Sequence, residues 1–171
     1  MSLYEQTIPQ YGKMLRNLDR WLDKAVAYAS ERKFDPAVLL EARLAPDQFS
    51  LLRQIQNACD NAKFGASRLS GRESPQQPDT EQTLDEIRAR IQTVLAYLET
   101  VKPEDLQGAE TRKVTLPFLP GVFVTGADYV TEWALPNFYF HVTTAYAILR
   151  HNGVPVGKKD FIGGLKTQPL G

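Results

Sequence analysis

The sequence GADYVTEWALPNFYFHVTTAYAILRHNG, residues 126–153, carries the strongest fold signal in the chain. It reads as one long, aromatic-rich helix with a proline near its middle, and it holds both histidines, His141 and His151. With His141 as origin and about 100° per residue, Val130, Ala134, Asn137, Ala145 and Ile148 all fall within roughly 40° of it. His141 and Asn137 therefore lie on an otherwise apolar stripe that faces a core. A polar pair in that place is either a buried network that satisfies its own hydrogen bonds or part of a site.

Upstream, three more segments repeat at helical spacing. Between Tyr4 and Glu31 the residues Ile8, Tyr11, Leu15, Leu18, Leu22, Ala25 and Ala29 recur at alternating steps of three and four. Pro9 predicts that the regular helix begins near it. Asp47, after Pro46, is read as the start of a second helix with the stripe Leu52, Ile55, Cys59, Ala62, Ala66 and Leu69. Ala58, Ala62, Gly65 and Ala66 leave room on it for a neighbour's close approach. A third helix runs from about Thr83, with Glu86 placed to close a capping box and Leu84, Ile87, Ile91, Val94, Leu98 and Val101 as its inner face.

The connections are equally legible. Lys33–Leu44 pairs Asp35 with Pro36, a cap followed by a first-turn proline, and reads as a connection with one short helix. Ser70–Gln82 has two prolines and no apolar side chain, and reads as a surface loop. Between Lys102 and Thr125, Val114, Leu116 and Phe118 alternate before a Leu-Pro-Gly break and Val122-Phe123-Val124, which predicts a short β-hairpin or two extended arms. Pro117 and Pro120 keep these arms out of any larger sheet. Gly153 caps the final helix, and Gly157–Gly171 reads as a tail.

Four amphipathic segments with one short excursion before the last make an all-α, antiparallel four-helix bundle the economical fold. The connections between helices one and two and between three and four are long enough to allow crossovers. At 171 residues the chain suits one domain, residues 1–163, with a tail at 164–171.

Charge excludes some functions. Twenty basic side chains balance twenty acidic ones and interleave along every segment, so no field is built for nucleic acid. No run approaches the roughly 20 apolar residues of a membrane span. A single cysteine, Cys59, and an opening MSLYEQTIPQ without a basic region and apolar core point to a reducing, cytoplasmic setting. Phosphate-cradling glycine motifs and paired Cys-X-X-Cys spacings are absent.

The segments NFYFHVTTAYAILRHNG, LAPDQFSLLRQIQNACDNAK and MSLYEQTIPQYGKMLRNLDRWLDKA together resemble an uncharacterised domain family of the DinB/YfiT-like superfamily. The resemblance spans Met1 to about Gly163. It implies a four-helix bundle, often dimeric, in a superfamily of candidate metalloenzymes that includes thiol-dependent transferases and isomerases. The superfamily's metal site uses one histidine on helix two and a pair spaced i, i+4 on the last helix, commonly followed by Leu-Arg two turns later. Leu149-Arg150 aligns His141 with the second histidine of that pair and Asn137 with the first. Leu52-Arg53-Gln54-Ile55 matches the helix-two motif and puts Gln54 at the remaining ligand. Two amides and one imidazole make a far poorer site for a divalent metal than three imidazoles, so the resemblance implies a degenerate one.

From the residues themselves, His141 and Asn137 offer an acid or base and an amide to a small-molecule ligand, or they satisfy one another inside the bundle. Gln54 lies roughly 100° from the centre of its stripe, able to turn inward or to remain solvated. Asn61, two turns on and on the same face, either joins that pocket or is exposed. Cys59 sits in the apolar seam as a small hydrophobe, and His151 complements the C-terminal end of its helix. The expectations are a small-molecule-binding or interaction module or, alternatively, a metal- or thiol-dependent transferase or isomerase using His141. Phe138, Tyr139 and Phe140 span about 200° of helix and cannot all face one core, so the hairpin around Val114–Val124 or another subunit must cover at least one, and a homodimer is predicted.

Overall fold

Ser2 and Glu5 close a capping box at the start of α1 (Leu3–Arg32), the Glu5 amide donating to Ser2 Oγ and the Ser2 amide to Glu5 Oε2. The helix therefore begins well before Pro9, contrary to the expectation from that residue. Pro9 is carried inside the second turn with its ring exposed. Residues 1–170 are described in this computed structural model. A 3₁₀ turn, Pro36–Glu41, follows, capped by the Asp35 carboxylate accepting from Ala37 N at 2.9 Å. Residues 45–48 form a turn closed by Gln48 N donating to Ala45 O, so α2 (Leu51–Ser70) starts after Ser50 rather than at Asp47. In α3 (Leu84–Thr100) Thr83 and Glu86 form the expected capping box.

The short β1 (Lys113–Val114) and β2 (Val124–Thr125) pair antiparallel, with Lys113 opposite Thr125, and Pro117 and Pro120 lie in the loop between them. What reads in sequence as one last helix is interrupted. A single turn, α4 (Gly126–Asp128), leads into a π-helical stretch, Tyr129–Ala134, and then into α5 (Leu135–His151). Leu135 N donates to Val130 O, one residue further back than in an α-helix. The wider turn relieves the clash that Pro136 would make with the carbonyl four residues before it.

Side-chain pairs fix the directions of the helices. On α1 and α3, Arg88 meets Asp19 and Asp23 while Gln92 meets Asp19, so these two run antiparallel. Tyr11 packs on Phe138 and Trp21 on Tyr146, which makes α1 and α5 parallel. Arg90 meets Asp60, and Tyr97 Oη donates to Arg72 O just beyond α2, which makes α2 and α3 parallel as well. The order is up, down, down, up. Parallel neighbours need a crossing segment, and residues 71–83 supply it by running back along the bundle. Asp79 reaches Arg53 and Glu81 reaches Gln56, both in the first turns of α2. The surface loop expected from composition is thus a strap, and the crossover falls between the second and third helices rather than at either of the two connections expected to allow one.

The core is made by the predicted stripes, and Tyr11 presses against Gly65, where a Cβ would come within 2.9 Å of its hydroxyl. Residues 157–163 are not a free tail. They form α6 (Lys158–Ile162), with Phe161 stacked on Trp21 at 5.6 Å, Trp21 Nε1 donating to Asp160 O and Lys24 paired with Asp160. No helix among the described residues is long and apolar enough to cross a membrane.

Candidate functional site

His141 reaches out from the middle of α5 and Gln54 from the first turn of α2, and both are buried, at 7% and 0% exposure. His141 Nδ1 lies 2.7 Å from Gln54 Oε1, while Gln54 Nε2 donates to the Phe49 carbonyl at 3.2 Å. The second contact fixes the amide orientation, so its oxygen must accept from an Nδ1–H. His141 is thereby held in the Nδ1–H tautomer with its Nε2 lone pair directed away from Gln54. Nε2 has no protein partner and is not among the polar atoms sealed from solvent without one. Burial holds the ring down to about 4, so it is neutral at ordinary pH.

One turn earlier on α5, Asn137 Nδ2 donates to Asn61 Oδ1 at 2.7 Å, and Asn61 Nδ2 donates to the Asn57 carbonyl. A third polar contact follows in the same direction, where Arg68 Nη1 donates to Tyr129 Oη at 3.1 Å. Residue numbers rise on α2 and fall on the facing segment, so these two helices are antiparallel. Gln54, Asn61 and Arg68 repeat every seven residues and return to one face of α2. They form a polar seam against α5 and the π-helical stretch.

All four sequence candidates therefore lie on one seam, but as two separate pairs. Gln54 turns inward from its flank because α5 covers that flank. Asn61 is half-buried and bonded to Asn137. Arg68 and Tyr129 were not anticipated; the signal was the continuation of the seven-residue spacing from Gln54 and Asn61 to a third polar residue. Phe138 is buried, Tyr139 half-buried, and Phe140 is 55% exposed with its ring edge-on to the His141 imidazole.

The donors do not fit the divalent metal that the superfamily resemblance implies. Gln54 Oε1 and His141 Nδ1 are committed to each other, and Asn137 is committed to Asn61, which leaves the His141 Nε2 as one free imidazole donor. Among the described residues, no group of three His, Cys, Asp or Glu side chains is placed to hold a metal ion. Cys59 is wholly buried and its thiol is pushed up to about 12 by that burial, which removes the thiolate a nucleophile requires.

The family model described as "Domain of unknown function (DUF1993)" matches residues 3–162. A crystal structure titled as a DinB family member protein from Shewanella denitrificans is 49% identical in sequence, with a TM-score of 0.95 over 98% of this chain and 96% of that one. No curated protein shows significant similarity to the chain. With its mostly helical fold, its two-strand hairpin before the last long helix and a family match over nearly its whole length, the chain belongs to the DUF1993 family and shares the fold of that DinB family member.

Proposed function

We propose that this protein is a small-molecule-binding or interaction module in which an imidazole–amide cluster stands where the wider superfamily holds a metal. The observation that carries this reading is the hydrogen bond between His141 and Gln54. A neutral amide lends the imidazole far less basicity than a carboxylate would, and burial lowers its proton affinity. Such a ring is a poor general base near neutral pH, where an efficient one titrates close to the working value. It is a good fixed acceptor, presenting Nε2 to a ligand N–H or O–H. Exposed Phe140, edge-on to the imidazole, supplies apolar rim for the body of such a ligand.

The same rim supports assembly. Phe140 is a large apolar side chain left half in solvent beside the cluster, and we place the homodimer contact there. A monomeric mass by light scattering at micromolar concentration rules out the dimer.

The open Nε2, a free imidazole donor, keeps the second reading in play, a metal- or thiol-dependent transferase or isomerase using His141. Two measurements separate the readings. Elemental analysis of the purified protein is expected to show no stoichiometric zinc, nickel or iron. Titration of a fragment set rich in N–H and O–H donors, followed through the His141 ring signals by NMR, is expected to shift those signals selectively. One tightly held metal ion per chain, or turnover abolished by His141→Gln, would return the protein to the enzymes.

A further inference from the structure

At the far end of the polar seam from His141, the loop between β1 and β2 folds over α2 and encloses an open cavity of about 550 Å³. Its walls include Leu116, Pro117, Val122 and Phe123, and two cationic side chains, Arg68 and Lys113, face it. No carboxylate lines the cavity, and neither cation makes an ion pair among the described residues. Aromatic rings hold both in place instead. Lys113 Nζ lies 4.6 Å from the centroid of Phe123, and the Arg68 guanidinium lies over Phe64 and Tyr129 while spending one hydrogen bond on the Tyr129 hydroxyl.

We propose that this cavity binds a small amphipathic anion, one carboxylate or sulfonate on an apolar body. Two cations that share an apolar hollow without counter-charges are each relieved by an anion between them, and the guanidinium fork retains donors suited to a planar carboxylate. Prepositioning by Phe123, Phe64 and Tyr129 reduces the side-chain entropy lost on binding. The volume lies within the range of small-molecule pockets, roughly 300–1,000 Å³. The apolar side chains and both cations line one hollow, and two cations are too few for anchoring to an anionic membrane surface. The site is independent of the His141 cluster, so either can fail without the other.

The test uses the fluorescent anion 8-anilino-1-naphthalenesulfonate beside its uncharged counterpart N-phenyl-1-naphthylamine, on the full chain. Saturable binding of the sulfonate at one site per chain is expected, tighter than that of the amine. The double variant R68Q/K113Q should weaken the sulfonate about tenfold or more and leave the amine unchanged. Lys113 is on an exposed strand position, so K113Q alone keeps the fold and should give a smaller loss in the same direction. Equal affinity for the two probes, or no response to either variant, overturns the proposal. So does co-sedimentation of the wild-type protein with phosphatidylglycerol vesicles lost in the double variant, which identifies a membrane as the occupant. Dissociation of a dimer as the sulfonate saturates also overturns it, since the cavity would then belong to a second copy.

Discussion

His141 Nδ1 and Gln54 Oε1 lie 2.7 Å apart across the α2–α5 contact, and the amide is itself anchored to the Phe49 carbonyl. The imidazole's neutrality follows from its setting, since nothing charged is bonded to it and burial alone lowers its proton affinity. Replacing Gln54 by Glu places a carboxylate on Nδ1 and should raise His141 from about 4 to its ordinary range or above it. Gln54→Leu instead leaves the Nδ1–H without an acceptor and should cost about 1–3 kcal/mol of stability. Both are measurable in a chain with two histidines, by NMR titration of the ring protons and by chemical denaturation. An unchanged titration in Gln54→Glu would show that the two side chains are not paired in solution.

Stability should depend on pH through the same ring. The folded value of about 4 is below the unfolded 6.5, so between them the unfolded chain binds the proton more readily. The contribution of neutral His141 is complete above about pH 6.5 and is lost as pH falls toward 4, by on the order of 2–3 kcal/mol over the whole window. His141→Gln should flatten that part of the stability profile. A profile of equal slope in the variant assigns the acid sensitivity to other groups.

Arg90 on α3 is fully enclosed and binds four partners, the carboxylates of Asp60, Asp79 and Glu81 and the Pro78 carbonyl. Three of the four belong to residues 71–83, so this one guanidinium clasps the strap that permits α2 and α3 to run parallel. Arg90→Met should cost about 3–5 kcal/mol, because it strands partly buried carboxylates, and it should expose the strap to proteolysis before the helices. Cleavage kinetics in 71–83 identical to wild type would mean that the strap is held by other contacts.

The parts of this fold that follow from one helix at a time were legible in the sequence. Three-and-four spacing marked the inner faces of α1, α2 and α3, Thr83 with Glu86 and Asp35 with Pro36 marked two starts, and alternation with prolines marked the hairpin. What depends on a partner was not. Gln54 occupies a flank on any helical wheel, and only the covering α5 makes it interior. Loop length permits a crossover without stating where it occurs, and the decisive contacts lie between Arg90 and polar residues that composition marks as surface. The segment Lys158–Ile162 is too short for periodicity, and its docking depends on Phe161 finding Trp21.

Cys59 supplies a simple check on the packing of α2. Its thiol is fully enclosed and pushed up to about 12, so a thiol reagent should label it slowly in the native protein and rapidly after unfolding. Cys59→Ala should cost about 1 kcal/mol through lost volume. Native labelling at the rate of a free cysteine would show that the α2 core opens readily.

The polar seam can also be tested by rebuilding the site that it lacks. Asn137 and His141 stand one turn apart on α5, and Gln54 bonds directly to His141 from α2, so the three positions face one region. Wild-type protein should hold zinc weakly, because its amides are poor zinc ligands and are bonded elsewhere. Asn137→His should give an intermediate gain, since two imidazoles at i, i+4 form a chelating pair. Adding Gln54→His frees Nδ1 of His141 from its amide and supplies a third imidazole, which should raise zinc affinity by orders of magnitude with one coordination position open. Competition titration against a chromogenic chelator reads all three proteins on one scale. A double variant that folds normally yet binds zinc no better than wild type would mean that the backbone holds these positions too far apart for a three-histidine centre, and that the seam is built for hydrogen bonding alone.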